Sequence, residues 1–181
     1  MTAWLEAHGA KDIDHPGGTL HAHLVRIRDR LKELGCAEHV QQAGLLHAVY
    51  GTAGFDVKLA ERDEIRDLVG ETAETLIYRY CACDRDVTWP ELATTRVLTN
   101  RFTGGTELLG EADTRDLIDL SIVNELDVYE HSQEIADKYG DYFVELFRSW
   151  APAASPSVIE EADRVLSNRR ASADGEPGSG V

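Results

Sequence analysis

Apolar residues recur at every third or fourth position through most of this chain, and one segment is apolar on nearly every face. Between Gly18 and Gly35, Leu20, Leu24, Ile27, Leu31 and Leu34 mark one stripe, with Arg26, Arg28, Arg30, Lys32 and Glu33 on other faces. This is an amphipathic helix ended by a glycine. Between Glu38 and Tyr50, Val40, Ala43, Gly44, His47 and Tyr50 share a face while Leu45, Leu46 and Val49 cover the others. A helix of that kind belongs at the centre of its domain. His47 is then buried or at the floor of a pocket.

The same spacing predicts helices over 61–69 and 71–83, from Asp113 or Thr114 to about His131, over 133–150 with an interruption near Gly140, and over 156–169. The stretch 51–58 reads as a loop, and 84–90 as a polar turn. Gly104-Gly105 between two short mixed runs fits a small hairpin. The reading is an all-α, helical-bundle domain over 1–170 with that hairpin as its β content. From Ala171 to Val181, Ser, Gly, Asp, Glu and Pro predominate and predict a disordered tail.

A net charge of −15 repels phosphate backbones and anionic leaflets, so neither nucleic acid nor a membrane is an expected partner. No apolar run reaches the length of a bilayer span. The N-terminus lacks the pattern of a secretory signal. Three cysteines, an odd set without the density of a disulfide framework, fit a reducing compartment, so the expected location is cytoplasmic. Cys81 and Cys83 stand two apart, on opposite sides of a helix, and make a poor chelate. Arg101 to Thr106 has the residue types of an anion loop but reads as a turn. The partner expected is a small-molecule ligand or substrate.

Polar groups on apolar helical faces carry the chemistry. His15, just before Pro16, precedes one helix, and His47 interrupts the next. Asn124 shares the stripe Leu117, Leu120, Ser121, Val128 and His131, with Asp127 at its edge. Imidazole with carboxylate suits Zn, Mn or Fe, whereas two imidazoles with an amide leave the metal's charge uncompensated and bind it weakly; buried polar groups need such a partner or one another. His23, at the margin of its stripe, can add an imidazole. Tyr50, on the His47 face, can handle protons, as can His23. Asp127 and His131, four apart, can form an orienting pair.

His15-Pro16 ahead of a long helix, with Ala43-Gly44-Leu45-Leu46-His47-Ala48-Val49 and Thr52 after it, resembles the metal-binding half of an HD-type phosphohydrolase domain, in particular the hydrolase domain of alarmone (ppGpp) synthetase/hydrolases. It is also similar to an HD-like family with a His-small-Val/Ile-Tyr-Gly-Thr segment. The resemblance implies an HD-like bundle with His15 and His47 as metal ligands and a last ligand at Asn124 or Asp127, depending on register. It departs where the aspartate of the His-Asp pair becomes Ala48 and the acidic pair that would orient water becomes Gly51-Thr52. The expectation is a small-molecule enzyme, a metal-dependent hydrolase or lyase with an altered His-Ala site. The alternative is a metal-free ligand-binding protein or pseudoenzyme on the same scaffold.

Overall fold

The computed structural model describes residues 1–174. It is an all-α bundle with three small antiparallel strand pairs. A short helix α1 (Thr2–Ala7), which the periodicity did not announce, leads to strands β1 (Asp14–His15) and β2 (Gly18–Thr19). Pro16-Gly17 makes the turn between them, with Gly17 at φ +80°, the conformation a type II turn needs at its third residue. Thr19 then caps α2 (Leu20–Glu33), its hydroxyl accepting the Ala22 amide at 3.2 Å.

Helix α3 (Glu38–Leu46) packs across α2 at Gly44. A Cβ there would stand 2.5 Å from Leu31 Cδ1 and 3.1 Å from Ile27 Cγ2, so the glycine lets the two backbones approach. The helix stops earlier than its apolar pattern suggests: Tyr50 lies in strand β3 (Tyr50–Thr52), paired with β4 (Phe55–Lys58). The expected loop over 51–58 is thus a hairpin. Gly51 at φ +76° and Gly54 at φ +87° turn the chain out of the helix, and burial of Val49 and Tyr50 accounts for the apolar pattern.

Helix α4 (Arg62–Ala82) is bent at Gly70 (φ +81°), which divides it where the sequence divided two helices. The polar stretch after it forms short helices α5 (Arg85–Thr88) and α6 (Leu92–Thr95) around a 3-10 turn. The expected hairpin follows as β5 (Val97–Thr99) and β6 (Thr106–Leu108), with Asn100 Oδ1 accepting the Phe102 and Thr103 amides in the turn.

Helix α7 (Glu111–His131) runs through the core, its Leu117, Ile118, Leu120, Ile122, Val123 and Leu126 all sealed from solvent. α8 (Gln133–Trp150) and α9 (Pro156–Asp174) pack on it. α8 is continuous through Gly140, because that glycine faces Tyr129 and keeps helical backbone. Asp119 on α7 accepts the Ser155 amide and hydroxyl at 2.9 and 2.6 Å, fixing the start of α9. Residues 171–174 of the expected tail continue α9, and 175–181 lie outside the described residues. Among the described residues, no helix is long and apolar enough to cross a membrane.

Candidate functional site

Helices α2 and α7 each offer a polar pair spaced i, i+3, His23 with Arg26 and Asn124 with Asp127, and the bundle brings these pairs face to face. His23 Nδ1 lies 2.7 Å from Asp127 Oδ2, and His23 Nε2 lies 3.1 Å from Asn124 Oδ1. His47, at the C-cap of α3, brings its Nε2 within 3.3 Å of His23 Nε2. His15 stacks on His23 with ring centroids 4.0 Å apart. His15, His23, His47, Asn124 and Asp127 therefore gather in one place, from elements spread over more than half the chain.

The hydrogen bonds on the outer edge of this cluster fix where protons sit. His47 Nδ1 is 2.8 Å from the Gly44 carbonyl, which can only accept, so Nδ1 carries the proton and Nε2 presents a lone pair. Burial raises the Asp127 carboxyl pKa, but the Arg26 and His23 hydrogen bonds outweigh it and hold the group well below the usual carboxylate range. Asp127 is thus an acceptor, and His23 Nδ1 carries the proton between them. Asn124 donates Nδ2 to Glu125 Oε1 at 2.9 Å, which turns its Oδ1 toward His23. Glu125 is in turn held by Arg85 at 3.0 Å, and Arg85 donates to Tyr80, whose ring stands edge-on to His47.

Three acceptor atoms, His23 Nε2, His47 Nε2 and Asn124 Oδ1, consequently converge inside the protein. Their residues are 1%, 2% and 6% exposed. Acceptors at such spacing repel unless a cation lies among them, either one further proton on an imidazole or a metal ion. The separations of 3.3 and 3.1 Å fit a metal: imidazoles bound at about 2.0–2.1 Å in a tetrahedral shell stand roughly 3.3–3.4 Å apart. Among the described residues no group of three His, Cys, Asp or Glu side chains is disposed to hold a metal ion. The third donor of this set is a carboxamide.

The remaining candidates divide cleanly. Asp127 faces the Nδ1 side of His23, away from the meeting point, and its two oxygens accept Arg26 Nε at 2.6 Å and Nη2 at 2.8 Å. It orients His23 as second-layer carboxylates orient metal-binding imidazoles. His15 Nδ1 is buried without a hydrogen-bond partner. Burial holds its pKa down to about 4, so it is neutral at neutral pH. His131 bonds the Asp127 carbonyl at 2.7 Å and stands 3.6 Å from Oδ1, the expected pair in slightly different form.

Tyr50 belongs to another cluster. Its hydroxyl donates to Glu74 at 3.1 Å, and Glu74, sealed from solvent, also takes Arg62 at 2.6 and 2.8 Å. Burial and the Glu74 charge push the Tyr50 phenol up, away from easy proton transfer. Cys81 donates its thiol to the His47 carbonyl at 2.9 Å; burial pushes the Cys81 and Cys83 thiols up to about 12 and 11, as suits packing residues.

Arg26, Glu125 and Arg85 are the participants that sequence reasoning missed. Arg26 lies off the apolar stripe and reads as a solvent face; its i, i+3 spacing from His23 was the available signal. Residues 4–85 match a family described as a domain of unknown function, DUF6817. That stretch contains His15, His23, Arg26 and His47 but not Asn124 or Asp127. No curated protein and no solved structure matches the chain.

Proposed function

We propose that the chain is a metal-dependent enzyme acting on a small molecule by hydrolysis or elimination, with His23, His47 and Asn124 as the metal seat. The observation that carries this reading is the convergence of three buried acceptors whose outer edges are already satisfied. A divalent Zn, Mn or Fe bound there would polarise a substrate oxygen as a Lewis acid. Asp127 holds His23, the Gly44 carbonyl holds His47, and Glu125 holds Asn124, so each donor has one orientation. With Tyr50 bound to Glu74, and His23 in the donor set, His15 is the residue left to face a substrate. The resemblance to HD-type hydrolases supports His47 as a metal ligand; this reading departs from it at His15, which the resemblance makes a ligand, and the chain departs from it at Ala48, apolar and 4% exposed. A cytoplasmic location suits the three free cysteines.

The Arg26–Asp127 pair favours a second reading. Arg26 offsets the one carboxylate nearest the imidazoles, so a metal held by neutral donors lacks charge compensation. One extra proton on His23 satisfies all three acceptors. The scaffold then serves as a metal-free ligand-binding protein.

Calorimetric titration of tag-free, chelator-treated protein with Zn, Mn and Fe decides between them. The metal reading expects tight binding that His47→Ala lowers by two orders of magnitude or more. Asp127→Asn should weaken it by about 10–100-fold, as second-layer changes do. Absence of binding and of any thermal shift with all three metals leaves the metal-free reading.

A further inference from the structure

We propose that the Pro16–Gly17 turn is the cover of the histidine site and that Arg26 is its latch. The proposal rests on reading the His23, His47 and Asn124 set as a site that a ligand must reach. These three residues and Asp127 are each at most 6% exposed, so something must move before anything arrives. His15 is the one member of the cluster with an open edge, and it lies flat on the ring of His23. Moving His15 is the shortest way to uncover His23.

The turn that carries His15 is tied down in an unusual way. Its strands pair only at Asp14 with Thr19 and at His15 with Gly18. Backbone bonds from Leu20 to Ile13 at 2.8 Å and from His21 to Ala10 at 2.9 Å hold its base, not its tip. The tip is held by side chains. Arg26 donates Nη1 to the Gly17 carbonyl and Nη2 to the Pro16 carbonyl, both at 3.2 Å, with the same guanidinium that grips Asp127. Gly17 rests directly on His131: a Cβ there would stand 2.5 Å from the ring Cδ2. One cation therefore sets both the orientation of His23, through Asp127, and the closure of the turn above it. Few backbone bonds with a side-chain latch describe a segment able to open locally while the helices below stay folded.

Carbethoxylation of the metal-free chain by diethyl pyrocarbonate, read residue by residue by mass spectrometry, tests the cover without involving a metal. Arg26→Met removes the latch. Gly17→Ala keeps the Arg26 and Asp127 side chains but sets a methyl 2.5 Å from His131 Cδ2 and 2.8 Å from Arg26 Nη2, at a φ of +80° that alanine resists, so it drives the tip off both, and it alone decides if Arg26→Met does not fold. The expected result in both is modification of His23 and His47 at least about tenfold faster, with His39 unchanged, and faster hydrogen exchange over 14–20 but not in α7. Unchanged His23 labelling in Gly17→Ala overturns the proposal. So does exchange in α7 that rises in step with the turn, since that is general loosening. Titration of the unaltered protein with Zn, Mn and Fe reads the metal separately: a response in labelling with none of the three bound leaves the cover standing and removes the metal reading.

Discussion

Arg26 grips Asp127 with two parallel hydrogen bonds, Nε to Oδ1 at 2.6 Å and Nη2 to Oδ2 at 2.8 Å, across the interface of α2 and α7. The carboxylate is 3% exposed and the guanidinium 29%, so the pair has one dry and one wet partner. His23 takes a third place on the carboxylate. Removing the wet partner strands a buried charge, which in general costs about 3–5 kcal/mol. Arg26→Met should destabilise the protein by the lower part of that range, because His23 still donates to Asp127. Asp127→Asn should cost a similar amount, and the double variant clearly less than the sum. Urea unfolding of the four proteins in a cycle checks this; additive losses would show that the two residues do not act together.

Tyr50 and His47 share a face on a helical wheel, yet the chain turns into β3 between them, and Tyr50 ends on Glu74. Tyr50→Phe should therefore cost only about 1 kcal/mol, the worth of one hydrogen bond, and leave metal or ligand affinity unchanged. Glu74→Gln should cost more, since it gives up the charge-assisted pair of hydrogen bonds from Arg62 at 2.6 and 2.8 Å. An affinity loss in Tyr50→Phe comparable to that in His47→Ala would return Tyr50 to the site.

Gly44 and Gly140 both lie inside helices, and the structure separates their roles. At Gly44 an added methyl collides with Leu31 at 2.5 Å, between two core helices. Gly44→Ala should cost about 1–3 kcal/mol through overpacking. At Gly140 the nearest atom, Tyr129 Cε2, is 3.4 Å away and the backbone is helical. Gly140→Ala should be neutral or stabilise by up to about 1 kcal/mol, as alanine favours helix. Thermal unfolding of the two variants should shift in opposite directions, or fall for Gly44→Ala alone.

These contrasts mark what the residue pattern could convey. Period and caps located the longer helices, though not α1, α5 or α6, and Gly104-Gly105 located a hairpin, because those are local properties. Apolar residues on every face could not distinguish a helix running to Tyr50 from one that stops at Leu46 and enters a buried strand, since both bury Val49 and Tyr50. The polar cluster was legible as far as single faces go: His15, His23, His47, Asn124 and Asp127 all stand in it. Which atom faces which was not legible. That Asn124 meets the imidazoles while Asp127 stands behind His23 depends on Arg26 and Glu125, whose partners lie on other helices.

His15 and His47 make the metal-free protein sensitive to acid. Both imidazoles are held below their ordinary range, chiefly by burial, His15 at about 4 and His47 further from the range of a free imidazole. The unfolded chain binds a proton on each near pH 6.5 while the folded chain resists, so stability rises with pH across this interval. Read downward, stability is complete above about pH 6.5 and declines as the pH falls toward 4. Below that the His15 contribution is exhausted, while that of His47 goes on declining. The His15 share should be about 1–2 kcal/mol, since solvent screens its open edge. Urea unfolding in chelator between pH 7.5 and 4 should show this slope, and His15→Asn should flatten it. A wild-type profile as flat as the variant's would mean that His15 is charged in the folded protein, and its stacking on His23 would then need another explanation.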